Sequence, residues 1–133
     1  MPFLLDTNAW IVYLKSTDSP VRTRLEQLKP ADVLLCSVVK AELLHGAEKF
    51  GKIQRRQAIL AETFAPYASL PFDDAAAAVY ATLRHELEVG GNVIGPNDLM
   101  IAAIALANNL TLVTHDTTEF GRIKLLQIED WQT

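Results

Sequence analysis

Four acids, Asp6, Glu42, Asp98 and Asp116, stand where apolar runs end or helical patterns begin, and their placement suits metal-assisted chemistry. Asp6 closes the run Phe3-Leu4-Leu5, Asp98 follows Gly95-Pro96 at the head of an apolar helical stretch, and Asp116 follows the run from Leu110 to Thr114. Glu42 lies in the helical pattern after Val33-Leu34-Leu35-Cys36. If strands and helices alternate, all four reach the same edge of one sheet, and open parallel sheets place their sites outside the carboxyl ends of the strands. Carboxylates gathered there repel one another unless cations lie between them, so the arrangement predicts Mg²⁺, with Mn²⁺ able to substitute. A hard cation so held acidifies water and stabilises charge developing on phosphorus, which is the chemistry of phosphodiester hydrolysis.

Asp6 and Asp98 are the expected metal ligands, because a strand end and a helix start hold them rigidly. Glu42 and Asp116 complete the shell, position a second metal or orient a water. Glu119 competes with Asp116 for the fourth place. Thr7 and Asn8 are expected to steady Asp6, and His115 adjoins Asp116, within reach of a substrate. Each acid also has a plainer reading. Asp6 can cap the first helix, Asp98 can favour a helix dipole, Asp116 can be a turn residue, and Glu42 can be a solvated helix-surface acid. The coincidence of four such positions at one edge carries the site, not any one of them.

The elements that must position these acids follow from the apolar periodicity. Strands are expected at Phe3–Leu5, Val33–Cys36, Ala68–Leu70, 110–114 and 124–128. Helices are expected through Trp10, Ile11 and Leu14, over 20–29, over 38–50 with Ser37 as its cap, over 52–64, over 75–88 before Gly90-Gly91, and after an Asn97 cap. In the helix after Ser37, the residues Ala41, Leu44 and Ala47 are expected to form the inward stripe. The alternation predicts an α/β fold, a three-layer α/β/α sandwich with a mainly parallel sheet of four to five strands.

Bulk properties set the outer limits. The chain has 133 residues, half of them hydrophobic, which fits one domain over 1–133 with a sizeable core. The single cysteine, Cys36, has no internal partner and falls in an apolar run, as a small buried hydrophobe would. No signal-peptide pattern and no apolar run near 20 residues is present, so the sequence predicts a soluble cytoplasmic protein without a membrane partner. Twelve Lys and Arg face sixteen Asp and Glu, a net charge of −4, which is unusual for a nucleic-acid protein. The four site acids account for that excess. Lys40, Lys49, Arg84 and Arg122 are the bases expected near the site mouth, and His45 and His85 read as surface or packing residues.

In their order along the chain, Leu5-Asp6-Thr7-Asn8, Ser37-Val38-Val39-Lys40-Ala41-Glu42-Leu43, Gly95-Pro96-Asn97-Asp98, Leu112-Val113-Thr114-His115-Asp116-Thr117-Thr118-Glu119-Phe120 and Glu129-Asp130-Trp131 resemble a PIN domain. Within that family the set is similar to the VapC toxins of bacterial type II toxin–antitoxin pairs. The resemblance implies a PIN-like fold and a Mg²⁺-dependent endoribonuclease, usually a homodimer, held inactive by a VapB-type antitoxin whose tail fills the active-site groove. It implies that Asp6 and Asp98 bind metal and that Glu42 and Asp116 complete an acidic quartet. Many relatives carry Asn at the position of Asp116 and an acid at that of Glu119; this chain has acids at both, so the resemblance leaves the fourth acid open. The implied substrate is structured RNA, with tRNA, including the initiator tRNA anticodon stem-loop, favoured over ribosomal RNA. Two rival readings stand beside it. One is a phosphatase with Asp6 as nucleophile, against which stands Asn8 where that chemistry wants a second acid. The other is a non-catalytic interaction domain whose acids cap helices or bind a basic partner.

Overall fold

A computed structural model describes residues 2–133. Five short strands form one parallel sheet: β1 (Phe3–Leu5), β2 (Val33–Cys36), β3 (Ala68–Leu70), β4 (Thr111–Val113) and β5 (Ile128–Glu129), in the order β3-β2-β1-β4-β5. Register is fixed in the middle by Leu4 opposite both Leu34 and Leu112. The chain therefore starts at the centre, builds outward through β2 and β3, then crosses back to add β4 and β5 on the other side. The strand order reverses between β1 and β4, which makes that junction the topological switch point of the sheet.

Helices α1 (Thr7–Lys15), α2 (Pro20–Glu26), α3 (Ser37–Lys49) and α4 (Ile53–Phe64) connect the first three strands. Helices α5 (Asp74–Val89) and α6 (Pro96–Ala107) make the return crossing, and a single-turn α7 (Thr117–Phe120) follows β4. Because the two halves of the sheet grow in opposite directions, right-handed crossovers send their helices to opposite faces and give the α/β/α sandwich. Leu4, Leu5, Leu35, Leu112 and Val113 are buried in the sheet, and Ile101 to Ala105 of α6 are buried without exception. That run is why α6 reads as apolar all round. Trp10 seals the α1 side, its ring 5.5 Å from those of both Tyr13 and Tyr67. Among the described residues no helix is long and apolar enough to cross a membrane.

Local details differ from the sequence reading in instructive ways. Cys36, not Ser37, is the N-cap of α3, and Ser37 already belongs to the helix while its hydroxyl reaches Leu70 O at 3.5 Å. The inward stripe of α3 is Val39, Leu43 and Ala47; Ala41 and Leu44 are exposed. Adjacent apolar pairs, Val38-Val39 and Leu43-Leu44, allowed either phase. Gly95, not Asn97, caps α6, because Pro96 takes the first helical position, where its missing N–H costs nothing. The second helix stops at Glu26, short of Leu28. The last strand is displaced to Ile128–Glu129, since residues 120–126 close successive turns through Ile123 N to Phe120 O and Leu126 N to Ile123 O. A 3-10 turn at Pro30–Asp32 and the α7 turn had no sequence counterpart.

Candidate active site

Asp6 sits where β1 becomes α1. Its backbone still follows the sheet, with its N–H donating to Val113 O at 3.0 Å, while its Oδ1 turns to accept the Ala9 N–H at 2.9 Å. The cap reading of Asp6 is realised, and the hydrogen bond that starts α1 also fixes the carboxylate. Asp6 is only 4% exposed. Its second support comes from Thr114, at the end of β4 and fully buried, whose hydroxyl donates to the Asp6 carboxylate and whose Oγ1 accepts the Asp116 N–H at 3.0 Å. Thr114 therefore ties two acids across the switch point.

Asp116 caps α7, its Oδ1 accepting the Glu119 N–H at 3.0 Å. Glu119 Oε1 in turn accepts the Gly95 N–H at 2.9 Å, which joins the α7 turn to the head of α6. Asp98 projects from the first turn of α6. Together Asp98, Asp116 and Glu119 each offer a carboxylate oxygen within 4.8 Å of the others. Both contenders for the fourth place, Asp116 and Glu119, thus lie within reach of Asp98, in a group that does not include Asp6 or Glu42. Glu42, on α3, is held on its two oxygens by different elements: the Thr7 hydroxyl donates to Oε1 at 2.6 Å and the Asn97 amide to Oε2 at 3.4 Å.

Two supporting residues behave differently from expectation. Thr7 steadies Glu42 rather than Asp6, because α1 has turned by one residue and points that side chain at α3. Asn8 is exposed and makes no side-chain hydrogen bond to Asp6 among the described residues. Thr114 and Asn97 were the missed positions. Thr114 was legible only as a strand end, and Asn97 was read as a cap when it is a donor to Glu42. His115, next to Asp116 in the chain, is exposed, its Nδ1–H donating to Asp130 Oδ2 at 2.9 Å.

Electrostatics make Asp98 the centre of the group. Burial, then the neighbouring charges of Glu119, Glu42, Asp6 and Asp116, push its carboxyl up to about 6. Burial also raises Asp6, opposed by the hydrogen bonds from Thr114 and Ala9 and reinforced by Asp116 and Glu42. Among the described residues no Lys or Arg forms an ion pair with any of the five acids; the ion pairs lie elsewhere, at Arg22–Glu26, Arg24–Glu129 and Arg84–Glu88. Arg122 donates to Val93 O, and Lys40 stands over the Phe64 ring. A cluster of hard oxygen donors with no protein counter-charge is the donor set that suits a small divalent cation.

Comparison with known proteins gives a consistent picture. The model of a PIN domain matches residues 3–125. The chain is 37% identical over 131 residues to the tRNA(fMet)-specific endonuclease VapC of Shigella flexneri, covering 98% of both chains. It is 36% identical over 132 residues to ribonuclease VapC2 of Rickettsia felis, again over 98% of both. Among solved structures it is similar to a chain of DNA-bound VapBC from Salmonella typhimurium, with a TM-score of 0.92, 34% identity and 98% of both chains covered. VapBC2 from Rickettsia felis bound to a promoter DNA fragment gives a TM-score of 0.90 at 34% identity, over 98% of this chain and 99% of that one.

Proposed function

The chain belongs to the PIN-domain family, among its VapC ribonucleases, and on that premise we propose that it is the toxin of a VapBC pair, cutting structured RNA by Mg²⁺-dependent hydrolysis at Asp6, Glu42, Asp98 and Asp116. The observation that carries this reading is the convergence of Asp98, Asp116 and Glu119, with Asp6 and Glu42 near enough to raise the Asp98 carboxyl and, among the described residues, no basic side chain paired with any of the five. Asp6 and Asp98 would hold the cation, Mg²⁺ or Mn²⁺. When bound, it supplies Lewis acidity at the phosphate and a water acidic enough to attack near neutral pH.

The rest of the work belongs to the chain. Burial of Asp6, with hydrogen bonds from Ala9 and Thr114, keeps one carboxylate orientation, so little is lost in ordering it. Thr7 and Asn97 clamp Glu42 so that it faces the group from the α3 side. Asp116 and Glu119 are each locked to a backbone N–H group by one oxygen, and each brings a carboxylate oxygen close to Asp98. Glu119 acts beside Asp116 rather than in its place. His115, oriented by Asp130, stands at the rim as a contact for the RNA.

The favoured substrate is tRNA, with the initiator anticodon stem-loop foremost, supported by the substrate named for the Shigella flexneri and Salmonella typhimurium relatives. The partner is a VapB-type antitoxin, supported by the VapBC complexes among the similar structures. Assembly is as a homodimer, for which the exposed Ala75, Ala77, Ala78 and Ala81 of α5 offer a face that two backbones can approach closely. The protein works in the cytoplasm, where its substrate is. The test is cleavage of a defined tRNA pool by the antitoxin-free chain with Mg²⁺, with Mn²⁺ and with EDTA, beside an Asp6→Asn, Asp98→Asn double variant. Cuts that need both the metal and the two acids support the reading. Cutting that survives the double variant would overturn the site assignment, and metal-dependent cutting of ribosomal RNA alone would overturn the substrate.

A further inference from the structure

The charge of this chain is unevenly distributed. Residues 49–61 contain Lys49, Lys52, Arg55 and Arg56 and no acid, so the remainder carries only eight Lys and Arg against all sixteen Asp and Glu. These four bases occupy the turn between α3 and α4, where Gly51 at φ 80° and Lys52 at φ 51° reverse the chain in two residues. Every residue from 48 to 59 is exposed. Among the described residues none of the four bases makes an ion pair. Arg56 is folded back by its Nε–H donating to Gly51 O at 2.9 Å, and the neighbouring acid Glu48 accepts a hydrogen bond from Gln57 instead.

Two further features make the turn unlike an ordinary solvated surface. Phe50 stands 66% exposed at its tip, with Lys49 Nζ 5.4 Å from the ring centre. An exposed aromatic flanked by unpaired cations is what stacking on a base and neutralising its phosphates requires. The first turn of α4 also has no acid and no side-chain cap. It places Arg55 and Arg56 at the positive end of the helix, where acids are usual, so the charges there reinforce rather than cancel. Lys49 lies seven residues after Glu42 on α3, which puts it on the same face about 10 Å along the axis. His45 and Gly46 lie between them, and the space over Gly46 is open.

We propose that this basic turn, Lys49, Phe50, Lys52, Arg55 and Arg56, binds the backbone and an unstacked base of the RNA substrate outside the cleft, anchoring it along α3 from the acids. The proposal rests on the ribonuclease reading above. It assigns electrostatic capture to one place on an otherwise acidic molecule, and so accounts for nucleic-acid binding despite the net charge of −4.

The test uses a Lys52→Glu, Arg55→Glu double variant and, separately, Phe50→Ala, all on exposed side chains. Both are first checked for an unchanged circular dichroism spectrum. Binding of fluorescein-labelled bulk tRNA is followed by anisotropy in EDTA across a salt series. The expected result is at least a tenfold weaker Kd for the double variant, with a salt slope shallower by about 1.5 for two lost phosphate contacts. In Mg²⁺ the KM for tRNA should rise by a similar factor while kcat, and cleavage of a tetranucleotide, stay within twofold. Wild-type and variant chains binding tRNA alike would overturn the proposal, as would no tRNA binding by the wild type. Unchanged tRNA binding with lost capture of a VapB chain would give the turn to the antitoxin instead. Failure of the nuclease reading would show separately, as absence of metal-dependent cutting by the wild type.

Discussion

At the scale of single residues, Asp98 links stability to metal. Its carboxyl is raised from an ordinary value near 3.8 to about 6, by burial first and by Glu119, Glu42, Asp6 and Asp116 after it. A folded-state value above the unfolded one means that the fold prefers the neutral form. The resulting stability is fully present below pH ~4 and is lost as the pH rises through about 6. In EDTA the melting temperature is therefore expected to fall between those pH values, and Asp6, shifted in the same direction, adds to the fall. Asp98→Asn should remove most of it and stabilise the metal-free protein at pH 7 by on the order of 1 kcal/mol, after allowance for solvent screening. The same substitution in Mg²⁺ should cut cleavage by at least ~10²-fold. Thermal melts of both proteins in EDTA across pH 4 to 8 decide the first part; a destabilised variant would mark Asp98 as a structural helix-start residue.

Thr7 gives a cleaner separation of positioning from folding, because it is partly exposed and its hydroxyl serves Glu42 alone among the described residues. Thr7→Val is expected to lower kcat about 10- to 100-fold while moving stability by less than ~1 kcal/mol. Thr7→Ser, which keeps the donor, should recover most of the rate. Equal rates for the Val and Ser variants would show that Glu42 needs no clamp.

At the scale of elements, the helix ends carry both fold and site. Helix α5 closes in a Schellman arrangement, with Gly91 at φ 72°, its N–H on Glu88 O, and the Asn92 N–H on Leu87 O at 2.9 Å. Gly91→Ala is expected to cost about 1 kcal/mol from the left-handed backbone alone and to leave RNA cleavage unchanged; urea unfolding beside a cleavage assay measures both. The sequence announced this stop through its Gly90-Gly91 pair, and it announced β1, β2 and β3 with their observed bounds. Apolar runs bounded by caps are strong signals. The phase of α3 was not legible, because Val38-Val39 and Leu43-Leu44 offer two equally apolar faces and only packing against β2 and α1 selects one. The shift of the last strand has a similar origin: turns at 120–126 are fixed by Phe120 and Ile123 in the core, not by local propensity. Asp6, Asp98 and Asp116 stood out because each lies at a strand end or a helix start, whereas Glu42 sits inside α3 and stood out only in company with them. Their supports, Thr114 and Asn97, were not legible, since a hydroxyl at a strand end and an amide in a helix look the same whether or not a distant carboxylate faces them.

At the scale of the molecule, five acids gather near a switch point with no basic partner among the described residues, so the metal-free protein holds repulsion that raises the Asp98 carboxyl. A cation that binds only the folded chain must stabilise it by mass action, by about 2.7 kcal/mol at a concentration one hundred times its Kd. Titrating Mg²⁺ into the EDTA-treated protein is therefore expected to raise Tm progressively, and the rise should vanish in the Asp6→Asn, Asp98→Asn double variant. An equal rise in the variant would mean that the ion acts elsewhere.

The strand order has a consequence for how the protein is made. Asp6 leaves the ribosome first, Glu42 next, then Asp98, and Asp116 near the end, yet the carboxylates face one another only once β4 has slotted in beside β1 and met β5. Until then β1 has an open edge and Thr114 has no Asp6 to hold. A nascent or truncated chain that lacks β4 thus lacks the assembled acid cluster, which forms only when the last strands join the sheet.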